Sequence, residues 1–106
     1  MPVIKGITGS PGQSTGRAII IKSLTQVKRF KPGDILVTEA TNPSWTPLIH
    51  AASAVVTDLG GALSHAAIVC REYGIPAVVG TKNATKQIKN GAIIIVNGDN
   101  GVVIIK

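Results

Sequence analysis

The stretch Gly60-Gly61-Ala62-Leu63-Ser64-His65 sets an imidazole directly after two glycines and a serine, where the chain reads as turning from a strand into a helix. Glycine permits positive φ angles and close backbone approach, so Gly60 and Gly61 allow a sharp turn. Ser64 is a preferred N-cap residue, which puts His65 at the first helical position, beside N–H groups without intrahelical partners and at the positive end of the helix dipole. An imidazolium is disfavoured there, so the ring stays neutral and nucleophilic, and a phosphoryl group it acquired would be held by the same donors. The arrangement suits a phosphohistidine.

Other residues that could do chemistry fit less well. Thr57 ends the strand pointing at the turn, where its hydroxyl could reach the imidazole or phosphoryl oxygens; ordinary strand-end polarity is the alternative. Ser64 and His65 do not make a serine hydrolase, because adjacent residues at a helix start do not face each other and only five carboxylates could supply an orienting acid. Arg71 lies about 120° around the helix from His65 and is read as serving the C-terminal half of that helix or an interface. His50 has no glycine turn before it and is taken as structural or exposed. Gly9, Gly12 and Gly16 have no strand leading in and no helix following, so they read as turns rather than a dinucleotide-binding loop. Trp45 is either a docking residue or part of a small core. Cys70, the single cysteine, excludes an internal disulfide and a multi-cysteine zinc site and reads as a small buried hydrophobe.

The positioning elements are short. Ala18 to Ile21, Asp34 to Thr38, Ala54 to Thr57 and Ala77 to Val79 are β-rich runs cut by Gly and Pro signals, and Thr46 to Ala52 can form a helix with Thr46 as cap and Pro47 first. Ala66 to Tyr73 is a second helix, stopped by Gly74 and Pro76. Strand, glycine turn, helix and strand over Ala54 to Val79 make a parallel βαβ unit. Ala92 to Val96 and Val102 to Ile105 flank Asn97-Gly98-Asp99-Asn100-Gly101, a hairpin signal.

A length of 106 residues allows one domain, residues 1–106, and the core must come from Ile, Val, Leu and Ala, since aromatics are only 3% of the chain. The formal charge of +6 suits an anionic ligand or partner face. Nucleic-acid binding is disfavoured, because the basic residues are scattered and no stacking platform accompanies them. The lone cysteine, and the lack of any apolar run near the ~18 residues of a membrane span, point to a soluble cytoplasmic chain with no membrane partner.

These residues resemble the phosphohistidine, or swivelling, mobile domain of phosphoenolpyruvate-utilising enzymes, a group that includes pyruvate phosphate dikinase, phosphoenolpyruvate synthase and rifampicin phosphotransferase. The likeness runs from Gly6-Ile7-Thr8-Gly9-Ser10-Pro11-Gly12 through Asn42-Pro43-Ser44-Trp45-Thr46-Pro47-Leu48 and the His65 stretch to Arg71-Glu72-Tyr73-Gly74-Ile75-Pro76-Ala77-Val78-Val79-Gly80. It implies an α/β, swivelling β/β/α fold with a sandwich-like core, the parallel βαβ unit and the C-terminal hairpin. It implies phosphorylation of His65 on Nε2; from the turn and cap geometry, Thr57, Gly60, Gly61 and Ser64 are the residues expected to cradle or support the group. The domain would relay phosphate between an ATP-binding domain of ATP-grasp type and a domain that binds pyruvate, phosphoenolpyruvate or another acceptor. ATP and magnesium would sit on those partner domains, with no metal or cofactor held here. The chain would be a phosphotransferase component rather than a complete enzyme; the alternative is a non-catalytic docking module that kept the fold. Leu63 stands where several relatives have a phosphorylatable threonine, so regulation of that kind is not expected.

Overall fold

In a computed structural model that describes residues 2–106, the strands are β1 (Val3–Lys5), β2 (Ile7–Ser10), β3 (Gln13–Ile20), β4 (Ile35–Thr38), β5 (Ala54–Thr57), β6 (Ala77–Val79), β7 (Ile93–Asn97) and β8 (Val102–Ile105). The helices are α1 (Thr46–Ala51), α2 (His65–Tyr73) and α3 (Ala84–Gln87), with 3₁₀ turns at Leu24–Arg29 and Pro43–Trp45. The eight strands form one continuous mixed sheet in the order β1-β8-β7-β3-β4-β5-β6-β2. The run β3-β4-β5-β6 is parallel, and the remaining pairings are antiparallel.

The long strand β3 lets this sheet fold over on itself. Its first part pairs with β7, Gln13↔Asn97 through Arg17↔Ile93, and its end pairs with β4, Ala18↔Ile35 through Ile20↔Val37. β7 thereby reaches β5 and β6 across the interior, although they are not its neighbours in the sheet. Side chains alternate across the parallel strands. Ile35, Val37, Ala54, Val56 and Val78 face a core shared with Ile94, Val96 and Val103 of the hairpin and Ala84 and Ile88 beyond it. Leu36, Val55, Ala77 and Val79 face a second core covered by Ile49 of α1 and Ala66, Ala67 and Cys70 of α2. Both faces of β4, β5 and β6 are therefore buried, which is why those strands are unbroken apolar runs. The result is the expected β/β/α layering with a sandwich-like core.

The parallel unit from Ala54 to Val79 and the C-terminal hairpin are where the sequence places them. Two local readings need correction, and one left open is decided. Gly9 and Gly16 lie inside β2 and β3 rather than in turns, because pairing with β6 and β7 extends segments that are too polar to announce themselves. The cap at α1 is displaced: Asn42 Oδ1 accepts the Ser44 N–H at 2.9 Å and opens the 3₁₀ turn, which runs on into a helix that already contains Thr46. Trp45 is buried in the second core.

Asp34 fastens the junction between β3 and β4, accepting from Arg17 Nη2 at 2.9 Å, Arg17 Nε at 3.2 Å and the Lys31 N–H at 2.9 Å. Burial alone would raise its pKa, but the Arg17 hydrogen bonds, the Lys31 N–H and the two positive charges outweigh that and hold it below 3.8. A depressed folded pKa gives stability that is present above the unfolded value and is lost as pH falls through the folded one. The urea midpoint of unfolding should therefore drop from pH 5 to pH 2, and the drop should be shallower in Asp34→Asn; identical profiles would remove Asp34 from the account. Cys70 is fully buried, and desolvation pushes its thiol up to about 12 against the opposing charge of Arg71. Alkylation by iodoacetamide at pH 8 should accordingly be slow in the native chain and fast in urea.

Candidate functional site

Three adjacent segments converge at the carboxyl ends of the parallel strands, the location where open α/β sheets bind ligands. The β4–β5 ladder ends at Thr38↔Thr57. Beyond it the Asp58 N–H donates to the Thr38 carbonyl at 3.1 Å and the Leu59 N–H to the Glu39 carbonyl at 2.9 Å, so the two strand exits stay side by side for another two residues. The β4 exit then delivers Thr41, and the β5 exit delivers the turn into α2.

That turn depends on Gly60, whose φ is 99° and where an added Cβ would lie 2.8 Å from Ser64 Cβ. The Gly60 carbonyl is in turn approached by Gly80, at φ 64°, where a Cβ would come within 2.7 Å of it. Gly61 has no positive φ and open space around it, so of the pair only Gly60 is required by the geometry. Ser64 caps α2 as its sequence predicts: it is extended, and its Oγ accepts the Ala67 N–H at 3.4 Å. His65 is the first helical residue, at the end of the helix whose leading N–H groups lack intrahelical acceptors.

The imidazole lines a pocket of about 140 Å³ together with Ala40, Thr41, Thr57, Gly60 and Ser64. That is room for roughly four or five waters at about 30 Å³ each, the scale of a phosphoryl group. Thr41 Oγ1 lies 2.8 Å from His65 Nδ1. With the hydrogen on Nδ1, the hydroxyl accepts it, and the lone pair of Nε2 is available as a nucleophile; among the described residues no hydrogen bond occupies Nε2. Thr57 is buried against the same pocket but does not bond the ring, because its hydroxyl donates to the Leu59 carbonyl at 2.7 Å and braces the turn. The partner of the imidazole is thus Thr41, which sequence reasoning passed over. Its only signal was a hydroxyl residue three positions beyond a strand that runs parallel to the one leading to His65.

The surroundings are apolar on the exposed side. Leu59 lines the pocket at 53% exposure, and Leu63, two residues before His65 in the chain, is 84% exposed. Arg71 does not reach the pocket; its Nη1 donates to the Gly9 carbonyl at 2.7 Å and ties α2 to β2. His50 is exposed on α1 and packs its ring on Tyr73, centroid to centroid 3.8 Å. No helix among the described residues is long and apolar enough to cross a membrane.

Over 101 residues the chain is 50% identical to a probable phosphoenolpyruvate synthase of Pyrococcus horikoshii, covering 95% of this chain and 12% of that protein. It is likewise 50% identical over 100 residues to an uncharacterized phosphotransferase of Bacillus subtilis, covering 94% and 12%. The chain therefore spans about an eighth of the length of these relatives. Among solved structures, an Enzyme I protein shares 35% identity at a TM-score of 0.65 over 76% of this chain and 34% of that one. The aconitase X of Thermococcus kodakaraensis, at 20% identity and a TM-score of 0.74 over 100% of this chain and 99% of that one, shares the fold alone. Residues 30–101, which include the β4 and β5 exits, the glycine turn and all of α2, match the family described as PEP-utilising enzyme, mobile domain, and the chain belongs to it.

Proposed function

We propose that this chain is the phosphocarrier of a multidomain phosphotransferase, with His65 as the residue that takes and gives up the phosphoryl group. The observation that carries this reading is the Thr41–His65 hydrogen bond at Nδ1, which, with the proton on that nitrogen, leaves Nε2 as the reactive nitrogen of a ring that lines the pocket. In the first half-reaction the Nε2 lone pair attacks phosphorus, the N–P bond forms, and the P–O bond to the leaving group breaks with its electron pair going to that oxygen. In the second, an acceptor oxygen attacks the same phosphorus and the N–P electrons return to Nε2. Dividing the transfer in two is what lets one donor and one acceptor be served in turn.

Each supporting residue has a distinct part. Thr41 keeps the ring oriented through both halves, since Nδ1–H remains a donor whether or not Nε2 carries phosphate. The N-terminus of α2 places partial positive charge beside the added anion. Gly60 makes the turn tight enough for this, and Ser64 closes the helix end. Thr57 holds the turn from inside. The charge and metal needed to activate a donor lie with partner domains: an ATP-grasp domain with ATP and magnesium on one side, and a pyruvate or phosphoenolpyruvate domain on the other. Leu59 and Leu63 would meet those domains and exclude water from the transferring group. The setting for this exchange is the cytoplasm.

Mixing the chain with ATP, magnesium and the remaining domains of the Pyrococcus horikoshii relative should add one phosphoryl group, through a bond labile in acid and durable in alkali. His65→Ala should abolish labelling and stay folded, since alanine is a good helix former at the first position. Thr41→Val should slow labelling about tenfold, near 1.4 kcal/mol, while Thr41→Ser restores it. A folded His65→Ala chain labelled at the wild-type rate would end the carrier reading and leave the docking module in its place.

A further inference from the structure

The hairpin strands β7 and β8 carry more apolar side chains than the fold covers. An antiparallel strand covered on one face alternates apolar with polar residues, whereas a strand covered on both reads as an unbroken apolar run. Ile93-Ile94-Ile95-Val96 and Val102-Val103-Ile104-Ile105 are runs of the second kind. Ile94, Val96 and Val103 enter the first core. Ile93, Ile95, Val102 and Ile104 point to the other side of the sheet, and none of them is buried.

The ladder register gathers those side chains into one surface, because directly opposed cross-strand partners share a face. Val3, Ile104, Ile95 and Thr15 form one row across β1, β8, β7 and β3. Lys5, Val102, Asn97 and Gln13 form the row beside it. On the other flank Ile93 stands opposite Arg17 and accepts the Lys106 N–H at 3.0 Å. The aliphatic centre is open, with Val3 51% and Ile93 45% exposed. The first core and the parallel strands lie between this face and α2, so it is separate from the surface around His65.

Charge selects what fits it. The outward positions of these strands hold cations at the corners, Lys5, Lys106 and Arg17, and no carboxylate. Arg17 is paired with Asp34, and among the described residues no other ion pair forms, so Lys5 and Lys106 keep uncompensated charge. A second copy, itself at +6, would set like charges against each other at the edge of the contact.

We infer that this sheet face docks a neighbouring domain of the same phosphotransferase, through an apolar surface edged with carboxylates; the assignment rests on the multidomain part of the phosphocarrier reading. The stretch shared with this chain is 12% of the Pyrococcus horikoshii relative, so most of that protein lies outside it. The face is small beside the ~20–30 residues a side of a stable interface, which suits a contact that a carrier makes and breaks.

The probe is the remaining domains of that relative, titrated with the whole chain at low salt. Ile95→Thr with Ile104→Thr keeps β-branched side chains, removes apolar surface and should weaken binding at least about tenfold; Ile104→Thr alone serves should the pair misfold. Val27→Thr, at an exposed aliphatic outside this sheet, should change affinity by less than about twofold. Lys5→Glu with Lys106→Glu should weaken binding, and the effect should fade as salt is added. At saturating partner the threonine pair should label His65 within about twofold of the wild-type rate. Unchanged affinity in the threonine pair, or no affinity in the wild-type chain, overturns the docking face. Tighter binding after charge reversal overturns the acidic edge, and slow labelling at saturation overturns the separation from the His65 surface. A wild-type chain that sediments as a dimer, dissociated by the threonine pair, gives the face to a second copy and overturns the assignment. Binding weakened by the threonine pair, to domains that never label His65, keeps the face and ends the carrier reading.

Discussion

The β4–β5 ladder, continued past Thr38↔Thr57 by the Asp58 and Leu59 amides, is the constraint on which the site depends. It brings two chain exits together that are about twenty residues apart in sequence. One must place a hydroxyl, the other a helix N-terminus, within hydrogen-bond reach of each other. A slip of one residue in this ladder would turn every side chain to the opposite face. Here both faces are buried in separate cores, so the register is fixed twice over. The 2.8 Å contact between Thr41 and His65 is therefore a consequence of strand packing well beneath the pocket.

The small side chains of α2 and β6 complete that logic. Ala66, Ala67 and Cys70 of the helix meet Ala77 and Val79 of the strand, so the helix seats close to the sheet without an aromatic layer. With so few aromatics, the core is made from branched aliphatic and alanine side chains, and helix height above the sheet is set by their modest size. A close seat matters to the first helical residue most, because it decides how far His65 stands from the β4 exit. Arg71, anchored on the Gly9 carbonyl, holds the solvent-facing side of the same helix in place.

The parts of the molecule legible in sequence were those governed by local chemistry. Ser64 as cap, His65 as first helical residue, Gly74 in the left-handed region at the helix end and the Asn97-to-Gly101 hairpin turn all follow from side-chain and backbone preferences within a few residues. What escaped was set by partners distant in sequence. β1 and β2 exist because β8 and β6 pair with them. Thr41 matters because its own strand runs beside the one that leads to His65, which lies 24 residues further along the chain. Thr57 lines the pocket, but its hydroxyl donates to a nearer acceptor, the Leu59 carbonyl. Gly60 and Gly61 look equivalent in sequence, and only the approach of Gly80 and Ser64 separates them.

On the carrier reading proposed above, the distribution of charge separates two tasks of the face around His65. Of the five carboxylates, Asp34 is spent on Arg17, Asp58 on Thr85, and Asp99 accepts the Gly12 N–H at 2.9 Å. Hydrogen bonds thus hold these carboxylates in place without removing their charge, the lysines stand in solvent, and the net +6 attracts anions over about a Debye length. The immediate surroundings of His65 follow the opposite rule. Exposed Leu59 and Leu63 carry no charge, so closure of a partner over them removes water without stranding an ion in a low-dielectric contact. On that reading, attraction at a distance by exposed lysines and desolvation at contact by leucine are compatible, because Leu59 lines the His65 pocket and no lysine of the described residues does.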